Sequence, residues 1–152
     1  MRKRLVTCLG ITIMVLFCVR AEAIEWETDF EKALSAARTS GKYILLDFSG
    51  SDWCGWCMKL EKEVFNKDDF KNFAREHLVC VLVDFPRQKK QSKKLKQQNW
   101  ELAKKYGIRG YPTVIMLSPE GELVGKTGYL QGGPRMYAQH LKEIIVKHKA
   151  KQ

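Results

Sequence analysis

Three short apolar runs divide the chain and predict buried β-strands over residues 43–48, 79–84 and 113–117. Each run is almost continuously apolar and does not alternate with polar residues, which is typical of strands covered on both faces. A fourth strand is predicted over residues 122–125, because a turn at Ser118-Pro119-Glu120-Gly121 sends the chain back after the third run.

Apolar residues recur at helical spacing between these runs. Phe30, Ala33 and Ala37 follow the capping-box pattern formed by Thr28 and Glu31, and a glycine ends that helix. Further helices are predicted from residue 54 to about 65, over 68–77, over about 95–106 and from 134 onward. Alternating helices and strands that end in a hairpin predict an α/β fold, with a central mixed β-sheet flanked by helices on both faces.

The first 23 residues have the pattern of a secretory signal. Arg2, Lys3 and Arg4 precede an apolar stretch over residues 5–19, and Ala21 and Ala23 supply the small residues that a signal peptidase requires. We therefore predict a signal peptide over 1–23 and one compact domain over 24–152, in the periplasm or secreted. An uncleaved N-terminal membrane anchor is the alternative, although the apolar stretch is short for a spanning helix.

The motif Trp53-Cys54-Gly55-Trp56-Cys57 carries the candidate chemistry. It stands between a predicted strand and a predicted helix, where unpaired N–H groups and the helix dipole favour a thiolate on Cys54. Cys57 lies one turn further on, within reach of a mixed disulfide formed by Cys54. A static structural disulfide is the alternative. A zinc site would need His77 and Cys80 as further ligands, and the apolar strand around Cys80 argues against it.

Basic residues are concentrated in one segment of the domain. The whole chain carries a formal net charge of +10, and four basic residues and one acidic residue lie before position 24, which leaves +7 for the domain. We assign residues 87–98 to a basic insertion without acidic residues. Such runs are usually solvated loops. The alternative is a patch that attracts an acidic partner or an anionic membrane, whereas no motif for nucleic acid accompanies the charge.

The loop Ser49-Gly50-Ser51-Asp52 is similar to that of an exported bacterial subgroup of the thioredoxin superfamily, and four ordered matches make the chain resemble this superfamily as a whole. They are Leu45-Leu46-Asp47-Phe48, the Trp53–Cys57 motif, the segment 105–113 and the hairpin 121–128. The chain departs from thioredoxin at three places. One extra residue separates Asp47 from Cys54, the basic insertion follows Asp84, and Trp56 stands where proline is usual.

The resemblance implies a role for each catalytic residue. Cys54 is expected to attack a substrate disulfide, and Cys57 to resolve the mixed disulfide. Asp47 is expected to be a buried acid behind Cys57 that takes and returns its proton, with a pKa raised by burial. The extra loop residue leaves an alternative, in which Asp47 is a strand-end carboxylate that reaches solvent.

The resemblance also implies a peptide-binding edge. Pro112 is expected to follow a cis bond and face the cysteine pair, and the backbone of Tyr111 to pair with a substrate peptide. Trp53 and Trp56 are expected to provide an apolar docking surface, with core packing as the alternative for Trp53. Trp26 and Trp100 are assigned to helix packing.

These observations predict a thiol–disulfide oxidoreductase that exchanges disulfides with protein substrates and acts as a monomer. No nicotinamide or flavin fingerprint is present, so no cofactor is expected, and electrons would come from a membrane-bound or soluble thiol donor. The alternative function is a redox-inactive thioredoxin-like module that binds peptides or serves as an adaptor.

Overall fold

The computed structural model describes residues 24–152, and the predicted secretory signal lies outside the described residues. The helices are α1 (Phe30–Ser40), α2 (Gly55–Leu60), α3 (Asp68–His77), α4 (Lys93–Lys105) and α5 (Gly133–Lys149). A π-helical turn, Glu61–Phe65, follows α2 directly. The strands are β1 (Tyr43–Ser49), β2 (Leu78–Asp84), β3 (Thr113–Leu117) and β4 (Leu123–Thr127).

The four strands form one mixed sheet in the order β2-β1-β3-β4. Strand β1 is central: it pairs in parallel with β2 and antiparallel with β3, and β3 pairs antiparallel with β4. Glu27 extends the sheet beyond β2 through a parallel bridge to Val81. The side chains of β1 are buried along its whole length, because the sheet is covered on both faces.

Two apolar layers cover the sheet, and they confirm the predicted α/β fold. One layer joins α1 and α4 to the sheet through Phe30, Ala33, Ala37, Ile44, Leu46, Phe48, Leu102 and Ala103. The other joins the π-helical turn, α3 and α5 to the opposite face through Leu45, Leu60, Val64, Phe65, Phe70, Tyr137 and Leu141. Because side chains alternate along a strand, Asp47 shares the second face with Leu45.

The start of α1 differs from the predicted capping box. Asp29 is the N-cap, and its carboxylate accepts the Lys32 N–H at 3.1 Å. The expected cap at Thr28 was therefore wrong by one residue, since an aspartate beside it serves equally well. Within residues 24–152, no helix combines the length and the apolar character needed to cross a membrane.

Candidate active site

The two cysteines of the motif meet at the carboxyl end of β1, where the chain turns into α2. Their sulfur atoms form a disulfide, with 5.3 Å between the Cα atoms. The carbonyl oxygen of Gly50 accepts hydrogen bonds from the N–H groups of Trp53 and Cys54, at 3.1 and 2.8 Å. This turn fixes where α2 begins and therefore where both sulfur atoms lie.

Cys54 is the N-cap of α2. Its sulfur accepts the N–H of Cys57 at 3.2 Å, and Cys54 and Cys57 are 7% and 4% exposed. An N–H group directed at the sulfur and the positive end of a helix both favour negative charge at that position. The geometry is therefore suited to a thiolate on Cys54, with Cys57 on the buried side of the helix.

Asp47 lies in the middle of the central strand and is only 6% exposed. Its backbone is paired with Leu82 on one side and Val114 on the other, while its Oδ1 atom has no hydrogen-bond partner in the protein. Burial, together with the negative charges of Glu61 and Asp84, raises the pKa of this carboxyl from 3.8 to about 7. Asp47 can therefore gain or lose a proton near neutral pH.

A cavity of about 300 Å³ lies beside Asp47. Glu61, Asp84 and Lys89 also line this cavity. Glu61 is the first residue of the π-helical turn and lies four residues after Cys57, so both project from the same side of the helix. Glu61 was not among the site residues predicted from the sequence. A carboxylate one helical turn after the second cysteine was the signal that could have identified it.

Trp53 connects three parts of the site. Its indole N–H donates to the carbonyl oxygen of Phe85 at 2.8 Å, and its ring meets that of Tyr111 edge to face at 5.7 Å. The guanidinium of Arg87 stacks on the indole at 3.9 Å from the ring centre. Trp53 is half-buried, so it is not a fully buried core residue, and its part in a docking surface stays a prediction.

Two aspartates connect the loop before the cysteines to the end of β2 and to the start of the basic insertion. Asp52 accepts the backbone N–H groups of Arg87, Gln88 and Lys89 at 2.8–3.0 Å, and these hydrogen bonds lower the pKa of its carboxyl. Asp84 accepts the N–H and the hydroxyl of Ser51. The insertion therefore begins as a structured segment beside the cysteines, and only its later part, from Lys93, is helical.

The remaining predicted residues border the same region. The Tyr111–Pro112 peptide bond is cis, and Tyr111 contacts the rings of Trp53 and Phe85. Trp56 is 57% exposed, packs against Tyr129 at 5.3 Å between ring centres, and is covered on one side by Lys59. Trp56 is thus the more accessible of the two tryptophans in the motif.

Comparison with known proteins places this arrangement in a family. The family model of the thioredoxin-like domain matches residues 30–145. The chain belongs to the thioredoxin superfamily. Together with the bonded cysteine pair, this makes it a thiol–disulfide oxidoreductase with a thioredoxin-like fold.

Two relatives from one organism are similar to this chain over more than two thirds of its length. Disulfide bond reductase DsbH of Chlamydia pneumoniae is 34% identical over 127 residues, which cover 84% of this chain and 76% of the relative. Thioredoxin-related protein DsbJ of the same organism is 34% identical over 71% of this chain, which corresponds to 31% of its own length. A solved structure of a DsbH oxidoreductase has a TM-score of 0.78 and 32% identity, covering 90% of this chain and 94% of that one.

The third cysteine of the thioredoxin-like domain is chemically separate from the pair. Cys80 is a buried free thiol in β2, and burial raises its pKa to about 12. It is therefore protonated and unreactive at neutral pH. Among residues 24–152 there is no group of three or more histidine, cysteine or carboxylate side chains placed to hold a metal ion.

Asp47→Asn is expected to stabilise the thioredoxin-like domain in a pH-dependent way. The raised pKa means that ionising Asp47 is harder in the folded than in the unfolded protein, so wild-type stability falls as pH rises from about 4 to above 7. At pH 8 the variant should unfold with a free energy roughly 3 to 4 kcal/mol higher. Urea unfolding of the oxidised protein at several pH values measures this, and a gain that persists unchanged at pH 4 would contradict it.

Gly50→Ala is expected to displace Trp53. A Cβ atom at Gly50 would lie 2.4 Å from the indole ring, so the ring must move and lose its contacts. Overpacking of this kind destabilises by about 1 to 3 kcal/mol. Urea unfolding and tryptophan fluorescence report both effects. Gly110→Ala is the matched control, because a Cβ atom there meets nothing within 4 Å; equal losses in both variants would argue against this role of Gly50.

Proposed function

We propose that the protein reduces disulfide bonds of exported proteins. The observation that carries the proposal is the Cys54–Cys57 disulfide at the start of α2, a helix whose Leu60 packs on the sheet face that also carries Asp47. The Cys54 thiolate attacks one sulfur of the substrate disulfide, and the other substrate sulfur leaves as a thiolate that takes a proton. Cys57 then attacks the Cys54 sulfur, closes the Cys54–Cys57 bond and releases the second substrate thiol. Two electrons pass to the substrate.

Asp47 is the base proposed for the second step. Cys57 lies on the buried side of α2, and the next helical turn on that side brings Glu61 to the cavity beside Asp47. A carboxyl whose pKa is about 7 can take the proton of Cys57 as this thiol attacks. The cavity offers the proton a route to solvent, since it is lined by polar groups and opens past the exposed Glu61.

Substrate is proposed to bind across the cysteine pair. Tyr111 and Pro112 would offer backbone groups to an extended peptide, in the manner of an added strand. Trp56 would supply exposed apolar surface on one side of Cys54, and the half-buried Trp53 would border the other side. The protein is proposed to act as a monomer and to regain electrons from a membrane-bound or soluble thiol donor, since no cofactor motif supplies them.

The direction and the compartment rest on the similarity to DsbH, a disulfide bond reductase, and on the N-terminal pattern. Residues 1–23 are proposed to be a cleaved secretory signal, and residues 24–152 the mature thioredoxin-like domain. N-terminal sequencing of the exported protein tests the cleavage. A mature chain that begins at Ile24 supports it, whereas an intact N-terminus in the membrane fraction would favour the anchor.

Redox equilibration with glutathione tests the direction of exchange. A reductase is expected to have a potential closer to thioredoxin's, about −270 mV, than to that of a strong oxidant, about −120 mV. The reduced protein should then transfer its electrons to a disulfide-bonded model protein, measured by counting the thiols formed. A potential near that of the strong oxidant, with net oxidation of a reduced model protein, would contradict the proposal.

A further inference from the structure

An exposed tryptophan on α4 has no role in the proposed reaction. Trp100 is 65% exposed, so the prediction that it packs within the helix layer was wrong. Its ring meets that of Phe85 in an edge-to-face arrangement, with 5.3 Å between the ring centres. Tryptophan is enriched among the residues that contribute most to the binding of other proteins.

Aromatic contacts join Trp100 to the redox centre. Phe85 contacts Trp100 on one side and Tyr111 on the other, and Tyr111 contacts Trp53, which directly precedes Cys54. The three ring-to-ring steps are each shorter than 6 Å. About five residues of extended chain would span them. A polypeptide bound at Cys54 could therefore reach Trp100 without leaving the surface.

The surface around Trp100 is strongly basic. Lys96 and Lys104 lie four residues before and after Trp100 on α4, so the three side chains form one stripe. A groove of about 550 Å³ beside Trp100 is also lined by Ala103, Ile108 and Arg109. The acidic residue in the groove, Glu101, already accepts a hydrogen bond from Gln97.

Residues 85–112 account for the net positive charge of the whole domain. They contain nine basic residues and one acidic residue, a net charge of +8, while residues 24–152 together carry +7. The basic residues are exposed, and Arg87 places one of them directly on Trp53. The charge is therefore concentrated on the side of the molecule that carries the aromatic contacts.

We propose that this surface, which we call the Trp100 surface (Arg87, Lys96, Trp100, Lys104 and Arg109), binds an acidic segment next to the reactive cysteine of the protein substrate. The proposal rests on the proposed function. An apolar side chain of the substrate packs against Trp100 in the groove, while flanking carboxylates face the lysines and arginines. A polypeptide is favoured over an anionic membrane because the surface continues into the peptide-binding edge at Tyr111.

Two synthetic peptides test the proposal with the full mature domain. Each carries one cysteine in a disulfide with glutathione, and they differ only in the flanking residues, which are acidic with one leucine in the first and neutral with one leucine in the second. Glutathione disulfide serves as a reference without flanks. Wild type should reduce the acidic peptide with about tenfold higher kcat/KM than the neutral one at low salt, and the preference should shrink as salt rises.

Variants distinguish an effect of the Trp100 surface from an effect of the protein's net charge. Trp100→Ala should lower kcat/KM for the acidic peptide, relative to the reference disulfide, about fivefold to tenfold. Lys96→Gln combined with Lys104→Gln should remove most of the preference for the acidic peptide over the neutral one. The matched controls lie on α5, where Lys142→Gln with Lys147→Gln changes the net charge equally and Val146→Ala shortens an exposed apolar side chain. These controls should keep the preference.

Each other outcome is decisive. Equal reduction of both peptides by wild type, or equal losses in the α5 controls, overturns this inference and leaves the reductase intact. If wild type reduces neither peptide and also fails to reduce glutathione disulfide, the proposed function is overturned as well. In a further outcome, wild type sediments with vesicles of phosphatidylserine and phosphatidylcholine, Trp100→Ala does not, and wild type shows no preference between the peptides. This outcome would assign the surface to a membrane and overturn the inference.

Discussion

Cys54→Ser is expected to abolish disulfide reduction, lowering turnover of a protein disulfide by at least about a thousandfold. A serine hydroxyl at this position is not ionised at neutral pH and cannot form the mixed disulfide, so the first step is lost. Turnover is measured by counting the thiols released from a model protein with a thiol reductant present. The module that only binds peptides, our alternative function, would keep its cellular role in this variant.

Cys57→Ser should have a different effect, because the first step remains possible. The variant should form a mixed disulfide with its substrate and fail to release it, giving a covalent adduct that a strong thiol reductant removes. Cys80→Ala is the matched control, since its thiol is buried and protonated, and it should turn over like wild type. Adducts that form as readily in Cys54→Ser as in Cys57→Ser would contradict the assignment of the two roles.

Asp47→Asn is expected to slow the second step about a hundredfold at neutral pH, because the amide cannot accept the proton of Cys57. In wild type the rate of this step should rise with pH through about 7, where Asp47 becomes ionised. The groups that face Asp47 or share its cavity are Glu61 from the π-helical turn, Asp84 and Cys80 from β2, Tyr137 from α5 and Lys89 from the basic insertion. In the variant the rise near pH 7 should disappear.

Stopped-flow measurement of substrate release from the preformed mixed disulfide, over pH 5 to 9, tests this role. Asp69→Asn is the matched control, because it makes the same change of side chain at an exposed position on α3, where Asp69 pairs with Arg135. It should leave the pH profile unchanged. The two Asp47 experiments are complementary: the same substitution should increase stability at high pH and decrease the rate. An unchanged profile in Asp47→Asn would show that another group accepts the proton.

The sequence was most informative where local patterns determine structure. The three apolar runs predicted β1, β2 and β3 closely, because a strand covered on both faces needs uninterrupted apolar residues. The helix after the cysteines and α3 were predicted because apolar residues recur there at helical spacing. Asp47 was a candidate because a carboxylate inside such a run requires a special environment. The resemblance to thioredoxins supplied the roles that local patterns cannot give.

Features that depend on distant contacts were not predicted. The π-helical turn has no distinct local pattern, and the role of Glu61 depends on the cavity that this turn shares with Asp47. The hydrogen bonds of Asp52 to residues 87–89 join segments about 35 residues apart. The sequence pattern therefore indicated a solvated loop and did not predict that the start of the basic insertion is bound to the loop before the cysteines. The exposure of Trp100 depends on how α4 rotates over the sheet, and helical spacing alone did not determine that rotation.

Limited alkylation of the fully reduced wild-type protein at neutral pH tests most directly which sulfur starts the reaction. The protein is treated with less than one equivalent of an iodoacetamide reagent, and the modified cysteine is identified by peptide mass spectrometry. We predict modification of Cys54, with Cys57 and Cys80 almost unmodified. Preferential modification of Cys57, or equal modification of all three thiols, would contradict the account.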